Sequence, residues 1–336
     1  MHNSLEAESV KLAFIIDPIH QLDPCHDTSI ALMEAAQILG HEVWITQANL
    51  LAVVQGKAWA VLERVELVPV QLVEGRYQKT DSWYKLSDTS STAICLETMD
   101  AVFMRTDPPV NTSYLYATYI LDYIDPNKTL TINSPRGIRA ANEKMYALQF
   151  TQAIPETIVT SDKQLIRQFL EAKGAAILKP LGNKAGEGIL FLEPSDRNFN
   201  SIVELSTLQG RVPVMVQTFL SEAKDGDKRI ILLNGEPIGA VNRLSARGEF
   251  RNNMAAGGTV AKTEISPREH DICVQLADTL RQDGLIFVGI DVIGGYLTEV
   301  NVTSPTGVRE IDRLDGVRLG EQVIQWVERA VSKNKK

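Results

Sequence analysis

The sequence predicts a mixed fold, an N-terminal doubly wound α/β domain followed by α+β units. Three stretches predict it. Residues 11–46 read strand, helix, strand in turn. From Ser134 onward the texture changes to short strands around a glycine-rich segment at 182–188. The third stretch, Leu285 to Pro305, holds two apolar runs joined at Gly294-Gly295 and reads as a β-hairpin. Asp291, Glu299 and Asn301 interrupt its apolar pattern, and strand interiors rarely carry Asp or Asn.

Each element has a local reason. Lys11 to Asp17 is a short apolar run ending in Asp-Pro, as a buried parallel strand would. Helical spacing follows from Thr28 to Leu39 and stops at Gly40, and Glu42 to Thr46 is the second strand. Residues 58–74 alternate weakly and read as a β excursion. Asp100 to Arg105 is a buried strand that feeds a helix over 113–124, and Thr129 to Asn133 is the next strand. Ser161-Asp-Lys-Gln164 reads as a capping box opening a helix to Lys173. Strands follow at 175–180 and 189–192, then a helix at 196–209 and a strand at 212–217. Lys228 to Gly235 opens an antiparallel unit. Ser266-Pro-Arg-Glu269 starts a helix to Gln282, and a last helix spans 319–332. The expected domains are 1–133, 134–211 and 212–332.

Bulk properties exclude several functions. The chain has 336 residues, 44% of them hydrophobic, enough for two or three cores. A net charge of −8 argues against nucleic-acid and anionic-membrane partners. No apolar run is long enough to span a bilayer, and the first residues do not read as a signal peptide. Three scattered cysteines point to a reducing, cytoplasmic setting and form no metal cluster. The histidines make no zinc motif, and no GxSxG elbow supports a serine nucleophile. Residues 1–10 and 333–336 read as loose tails.

The candidate chemistry starts as pairs of readings. Asp291, Glu299 and Asn301 are hard oxygen ligands that could hold Mg²⁺ against phosphate oxygens, or they line the wet face of a hairpin. The loop at 182–188 lies between two strands, so it is neither a Walker A loop nor a Rossmann fingerprint. It either folds over a nucleotide, offering backbone amides to phosphate, or is a surface hairpin. Lys179 closes an apolar strand and must snorkel to water or meet an anion. Lys144 stands at the start of an expected amphipathic helix, where most lysines are only solvated. Arg229, Arg243 and Arg251 each read alone as surface residues. Asp225 to Arg229 could hold a ribose or form a charged tip, and Thr303 to Thr306 offers hydroxyls or a turn.

Taken together, the motifs resemble a family. Asn142-Glu-Lys144, Ile177-Leu-Lys-Pro180, Gln217-Thr-Phe-Leu220, Lys224 to Arg229, Asn253 to Gly258, Phe287 to Asp291 and Thr298 to Pro305 occur in the order of the bacterial glutathione synthetases of the ATP-grasp superfamily. Ile16-Asp-Pro-Ile19, Met104 to Pro109 and Tyr116-Ala-Thr-Tyr119 resemble that family rather than ATP-grasp ligases at large. The resemblance covers about residues 11–330 and implies an N-terminal α/β domain followed by two subdomains that grip ATP. It implies a ligase that joins γ-glutamylcysteine and glycine, yielding glutathione, ADP and phosphate, and working as a homo-oligomer. Carried over by position, Lys144, Lys179, Gly186 and Gly188 meet ATP phosphates, and the main chain of Gln217, Thr218, Phe219 and Leu220 meets adenine. Asp227 lies near the ribose. Asp291, Glu299 and Asn301 bind two Mg²⁺ or Mn²⁺ ions, and Arg229 and Arg251 meet the reacting groups. Asp17, Ser29, Arg105, Ser304 and Thr306 line the peptide cleft. The glycine loop departs from the family, with Ala185 where a glycine is usual and an added Lys184. Another ATP-grasp carboxylate–amine ligase and a non-catalytic ATP-binding regulator are the alternatives.

Strand parity sharpens the metal reading. Glu299 and Asn301 share a face, because residues two apart in a strand do. A plain two-residue turn at Gly294-Gly295 would pair Asp291 with Thr298 and turn Glu299 to the opposite face. The Gly-Gly turn is therefore expected only with a compensating β-bulge, and otherwise a three-residue loop. Asp291→Asn is expected to leave folding nearly intact while lowering turnover.

Overall fold

A computed structural model describes residues 9–87, 92–182, 186–245 and 258–334. Arg251, the loop residues Asn183 to Ala185, and residues 1–8 and 335–336 lie outside the described residues; the expected tails are longer, but Val10 is buried and α8 reaches Asn334. The chain forms two compact units. One is Met1–Arg139 with Asp283–Ile286 and Thr303–Lys336, and the other is Ala140–Gln282 with Phe287–Val302.

In chain order, the first unit begins with β1 (Lys11–Ile15), α1 (Thr28–Ile38), β2 (Glu42–Thr46), β3 (Leu51–Val54) and β4 (Lys57–Leu67). It continues with β5 (Gln71–Val73), β6 (Arg76–Gln78), β7 (Tyr84–Leu86), β8 (Thr92–Cys95) and β9 (Ala101–Met104). Helix α2 (Thr112–Leu121), β10 (Leu130–Ile132) and α3 (Pro135–Ala140) follow. The main sheet runs β10-β9-β1-β2-β4-β3, with its first four strands parallel and β4 antiparallel to β2 and β3. Leu12 to Ile15 are all buried, as expected of a central parallel strand covered on both faces. Phe14 stacks on Phe103 of the neighbouring strand, with ring centroids 4.5 Å apart. The β excursion is longer than the expected 58–74, since β3 to β8 run from Leu51 to Cys95. Short strands with exposed faces carry too little periodicity to be read from sequence.

Asp27 caps α1 by accepting from the Ile30 amide at 2.9 Å. Every residue from Thr28 to Ala36 is buried, because the late helices α7 (Val308–Asp315) and α8 (Leu319–Asn334) also pack on α1. A Cβ on Gly320 would lie 3.0 Å from the Ala31 carbonyl, so glycine lets α8 approach α1 closely.

The second unit contains β11 (Thr157–Thr160), α4 (Lys163–Lys173), β12 (Ala176–Pro180), β13 (Leu190–Leu192), α5 (Phe199–Ser206) and β14 (Val214–Thr218). It continues with β15 (Asp227–Leu233), β16 (Glu236–Leu244), β17 (Thr259–Lys262), α6 (Pro267–Gln282), β18 (Phe287–Ile293) and β19 (Tyr296–Asn301). These strands build two antiparallel sheets, β11-β14-β12-β13 and β17-β16-β15-β18-β19. Helices α4 and α5 cover one face of the smaller sheet through Ile166, Leu170, Phe199 and Val203. Helix α4 starts one residue later than expected. Its cap is Asp162, whose carboxylate accepts from the Gln164 and Leu165 amides at 2.7 and 3.1 Å. The expected cap on α6 forms reciprocally, Ser266 N donating to Glu269 and Glu269 N to the Ser266 hydroxyl. None of the helices among the described residues is long and apolar enough to cross a membrane.

Candidate active site

The register of the larger sheet builds the site. Asp291 pairs with Arg229 on one side and Glu299 on the other, and Asp227 pairs with Arg243. Period-two alternation then puts Asp227, Arg229, Arg243, Asp291, Glu299 and Asn301 on one face. The β18–β19 hairpin makes this possible in the expected way. Its turn is the two-residue Gly294-Gly295, both at positive φ, pairing Ile293 with Tyr296. The register shifts between Asp291 and Val292, with Thr298 as the extra residue, and Glu299 comes opposite Asp291. The Thr298 hydroxyl donates to the Asp291 carbonyl at 3.2 Å, which gives the bulge a hydrogen bond of its own.

Charges on this face are densely paired. Arg229 grips Asp291 with two donors, Nε to Oδ1 at 2.5 Å and Nη2 to Oδ2 at 3.1 Å. Arg243 Nη2 sits 2.9 Å from Asp291 Oδ2 and 2.6 Å from Asp227 Oδ2. Asn301 Nδ2 donates to Asp291 Oδ2 at 3.3 Å. Burial raises the Asp291 pKa, but Arg229 and Arg243 outweigh it and hold the carboxyl well below the usual range. Burial pushes Asp227 up to about 6, against the pull of Arg243, while the Asp291 charge raises it further. Two buried atoms here, Asp227 Oδ1 and Arg243 Nε, have no hydrogen-bond partner among the described residues.

Two lysines face the same carboxylates. Lys144 Nζ lies 3.0 Å from Glu299 Oε1. It does not stand on an amphipathic helix as expected. It precedes a short 3-10 turn, Met145–Gln149, and its side chain is buried. That segment is tied to β19, since Val300 N donates to the Glu143 carbonyl at 2.9 Å. Lys179 comes from the smaller sheet. Ala176, Leu178, Val214 and Val216 turn into the helix-covered core, so Ile177, Lys179, Met215 and Gln217 line the other face. Lys179 Nζ donates to Gln217 Oε1 at 2.7 Å. Burial lowers its pKa, and Glu299 pulls it back up. The amides of Thr218 and Phe219 donate to the Glu156 and Ala175 carbonyls. Gly186 and Gly188, at φ 77° and 71°, belong to the connection between the paired strands β12 and β13.

In the first unit, Arg105 meets Ser29, and Asp17 meets the segment that follows Arg105. Arg105 Nε donates to Ser29 Oγ and its Nη2 to the Pro305 carbonyl, both at 3.0 Å. Ser304 and Thr306 flank that proline. Asp17 Oδ2 accepts from the Asp107 amide at 3.0 Å. Sequence reasoning undervalued Arg243, which read as a surface residue. The available signal was its spacing, since Arg243 is buried at a strand position that pairs with Asp227.

Solved structures share this architecture. D-cycloserine synthetase DcsG has a TM-score of 0.65, 12% identity, and covers 95% of this chain and 99% of its own. The ATP-grasp ligase PsnB, complexed with a minimal precursor, has a TM-score of 0.60 at 19% identity, with the same coverage. At such identities the likeness concerns the fold. The fold and the charged sheet face define an ATP-grasp ligase, an ATP-dependent enzyme. The model of the prokaryotic glutathione synthetase N-terminal domain matches residues 10–139, that of its ATP-grasp domain matches 143–316, and the chain belongs to this family. A glutathione synthetase of a Nostoc species is 78% identical over 320 residues, covering 95% of this chain and 98% of its own. That of Gloeobacter violaceus is 45% identical over 323 residues, covering 95% and 96%.

Proposed function

We propose that this chain joins γ-glutamylcysteine to glycine, with ATP cleaved to ADP and phosphate, and so makes glutathione. The cysteinyl carboxylate attacks the γ-phosphorus of ATP and ADP leaves. The glycine amine then attacks the acyl phosphate, losing a proton as phosphate departs. No covalent nucleophile from the protein is needed, and the work is positioning and charge neutralisation. The observation that carries this reading is the register that sets Asp227, Arg229, Arg243, Asp291, Glu299 and Asn301 on one face.

In this reading Lys144 and Lys179 contact the phosphates, with the amides around Gly186 and Gly188. Arg229 and Arg251 meet the reacting groups. The Asp227 oxygen without a partner is the acceptor offered to a ribose hydroxyl. With the Thr218 and Phe219 amides engaged, the carbonyls of 217–220, through their second lone pairs, are left for the adenine amino group. A divalent ion fits the donor set. Among the described residues no three His, Cys, Asp or Glu side chains form a metal cage. Two carboxylates and an amide suit Mg²⁺ or Mn²⁺ that completes its shell with phosphate oxygens and water. Asp291, Glu299 and Asn301 would hold two such ions, which would neutralise charge on the phosphates. ATP oxygens would draw Arg229 and Lys144 away from Asp291 and Glu299, exposing these carboxylates to metal.

Residues 1–133 bind the peptide together with Ser304 and Thr306, which belong to the first unit, and the parts of 134–211 and 212–332 in the second unit hold ATP. The enzyme works in the cytoplasm as a homo-oligomer, with no nucleic-acid or membrane partner. Measuring ADP release with γ-glutamylcysteine, with and without glycine, tests the reaction. ADP release that requires both is expected. ATP binding without turnover on any amino-acid or dipeptide acceptor would favour a regulatory protein instead.

A further inference from the structure

The face of the smaller sheet turned away from α4 and α5 carries Lys179, and strand pairing decides what meets it. Gln217 of β14 pairs with Thr157 of β11 on one side and with Ile177 of β12 on the other. Residues two apart in a strand share a face, so Lys179 falls diagonally across from Gln217. Long side chains bridge that separation, and Lys179 Nζ lies 2.7 Å from Gln217 Oε1.

The direction of this bond is fixed from both ends. An ammonium only donates, so the oxygen of the amide must face it. The other end, Gln217 Nε2, donates to Thr157 Oγ1 at 3.0 Å. The Thr157 hydroxyl gives its own proton to the Pro155 carbonyl at 2.7 Å. Hydrogen bonds thus run one way, from the ammonium to the main chain. Turning the amide over would set one donor against another at Lys179, and Gln217, only 3% exposed, has little water to compensate.

The acceptor is also neutral. Other cations of this unit meet carboxylates, Lys144 at Glu299 and Arg229 and Arg243 at Asp291. Lys179 meets an amide, while Glu299 acts on it at longer range. A carboxylate at position 217 would hold the ammonium equally well and compete with phosphate for its charge. An apolar side chain there would leave a flexible four-carbon stem to be ordered when ATP binds. A glutamine orients the lysine without neutralising it.

We propose that Gln217 is a positioning residue for Lys179, its side-chain amide locked by Thr157 so that the ammonium is aimed at the phosphates of ATP and its charge is kept for them. The inference rests on the reading of Lys179 as a phosphate contact and adds what holds it ready.

The test is a double-mutant cycle on the full chain, with ATP affinity read by calorimetry and adenosine affinity by competition. Lys179→Met should weaken ATP about 10- to 100-fold and Gln217→Met about 10-fold. The double variant should match Lys179→Met alone within about twofold, because the glutamine acts only through the lysine. Adenosine, which carries base and ribose but no phosphate, should bind equally to all four proteins. Gln217→Glu adds one charge at unchanged shape and should weaken ATP about 10- to 100-fold, with adenosine unaffected. If the variants at 217 fail to fold, Thr157→Val, which leaves Nε2 without its acceptor, should weaken ATP about 3- to 10-fold, and Thr157→Ser should restore it. Additive losses in the cycle, a parallel loss of adenosine, or full ATP affinity in Gln217→Glu would overturn the assignment. A loss in Lys179→Met with none in folded Gln217→Met would overturn it while the phosphate contact stood. Full ATP affinity in Lys179→Met would remove the phosphate contact and the inference with it.

Discussion

The two sheets of the second unit use the same parity rule for different ends. In the smaller sheet, one face is buried under α4 and α5, and the other shows Ile177, Lys179, Met215 and Gln217. One cation stands there among apolar and amide groups, a surface suited to a flat base and a phosphate. In the larger sheet, the corresponding face carries three carboxylates, two arginines and an asparagine, with Lys144 reaching Glu299. Buried charge at this density is tolerable only because nearly every group has an opposite partner. The contrast teaches that the first surface can bind with modest loss on mutation, whereas the second couples binding to stability.

Breaking the larger sheet's network should have the largest effect. Asp291→Asn is expected to lower kcat by about 100-fold or more. The expectation that folding would stay nearly intact does not survive the structure, because two buried arginines converge on this carboxylate. Losing its charge should cost about 3 kcal/mol in ligand-free protein, read by chemical denaturation. Near-normal activity at limiting Mg²⁺ would remove Asp291 from the metal site.

On the smaller sheet the outcome should divide differently. Lys179→Met removes one phosphate partner and one buried charge. KM for ATP should rise about 10- to 100-fold, with stability unchanged or higher. If the melting temperature fell and KM stayed put, Lys179 would be structural and the contrast between the sheets would collapse.

The pH response sharpens the same comparison. The folded pKa of Asp227, about 6, stands above its ordinary 3.8. Its contribution to stability is therefore fully present below about 4 and lost as pH rises through about 6. Ligand-free protein should lose up to about 3 kcal/mol across that window, and Asp227→Asn should flatten the loss. Equal denaturation profiles for the two proteins at pH 5 and pH 7.5 would show that the cluster does not store this strain.

The smallest effect belongs to the bulge. Thr298→Val removes the hydroxyl donated to the Asp291 carbonyl and should cost about 1 kcal/mol without changing KM for ATP. A loss of ATP affinity as well would mean that the hydroxyl also sets the register of Glu299.

Much of this was legible in the chain itself. Apolar periodicity located β1, α1, β2 and α6, because each buries one face or two with a regular repeat. The cap at Ser266 and the parity of the hairpin were local arguments about neighbouring residues; parity required a three-residue loop or a bulge in either strand, and the structure chose a bulge at Thr298. Motif order indicated the family. Sequence alone did not find α7, whose buried Arg309 and Glu310 look like surface charges until Glu34 and His26 are brought to them from the far end of the chain. Nor did it find Arg243, an ordinary arginine until strand pairing sets it against Asp227 and Asp291. Local periodicity sees only neighbours within a turn or a strand. A buried charge is defined by partners distant in sequence, so its role exists only once the chain has folded.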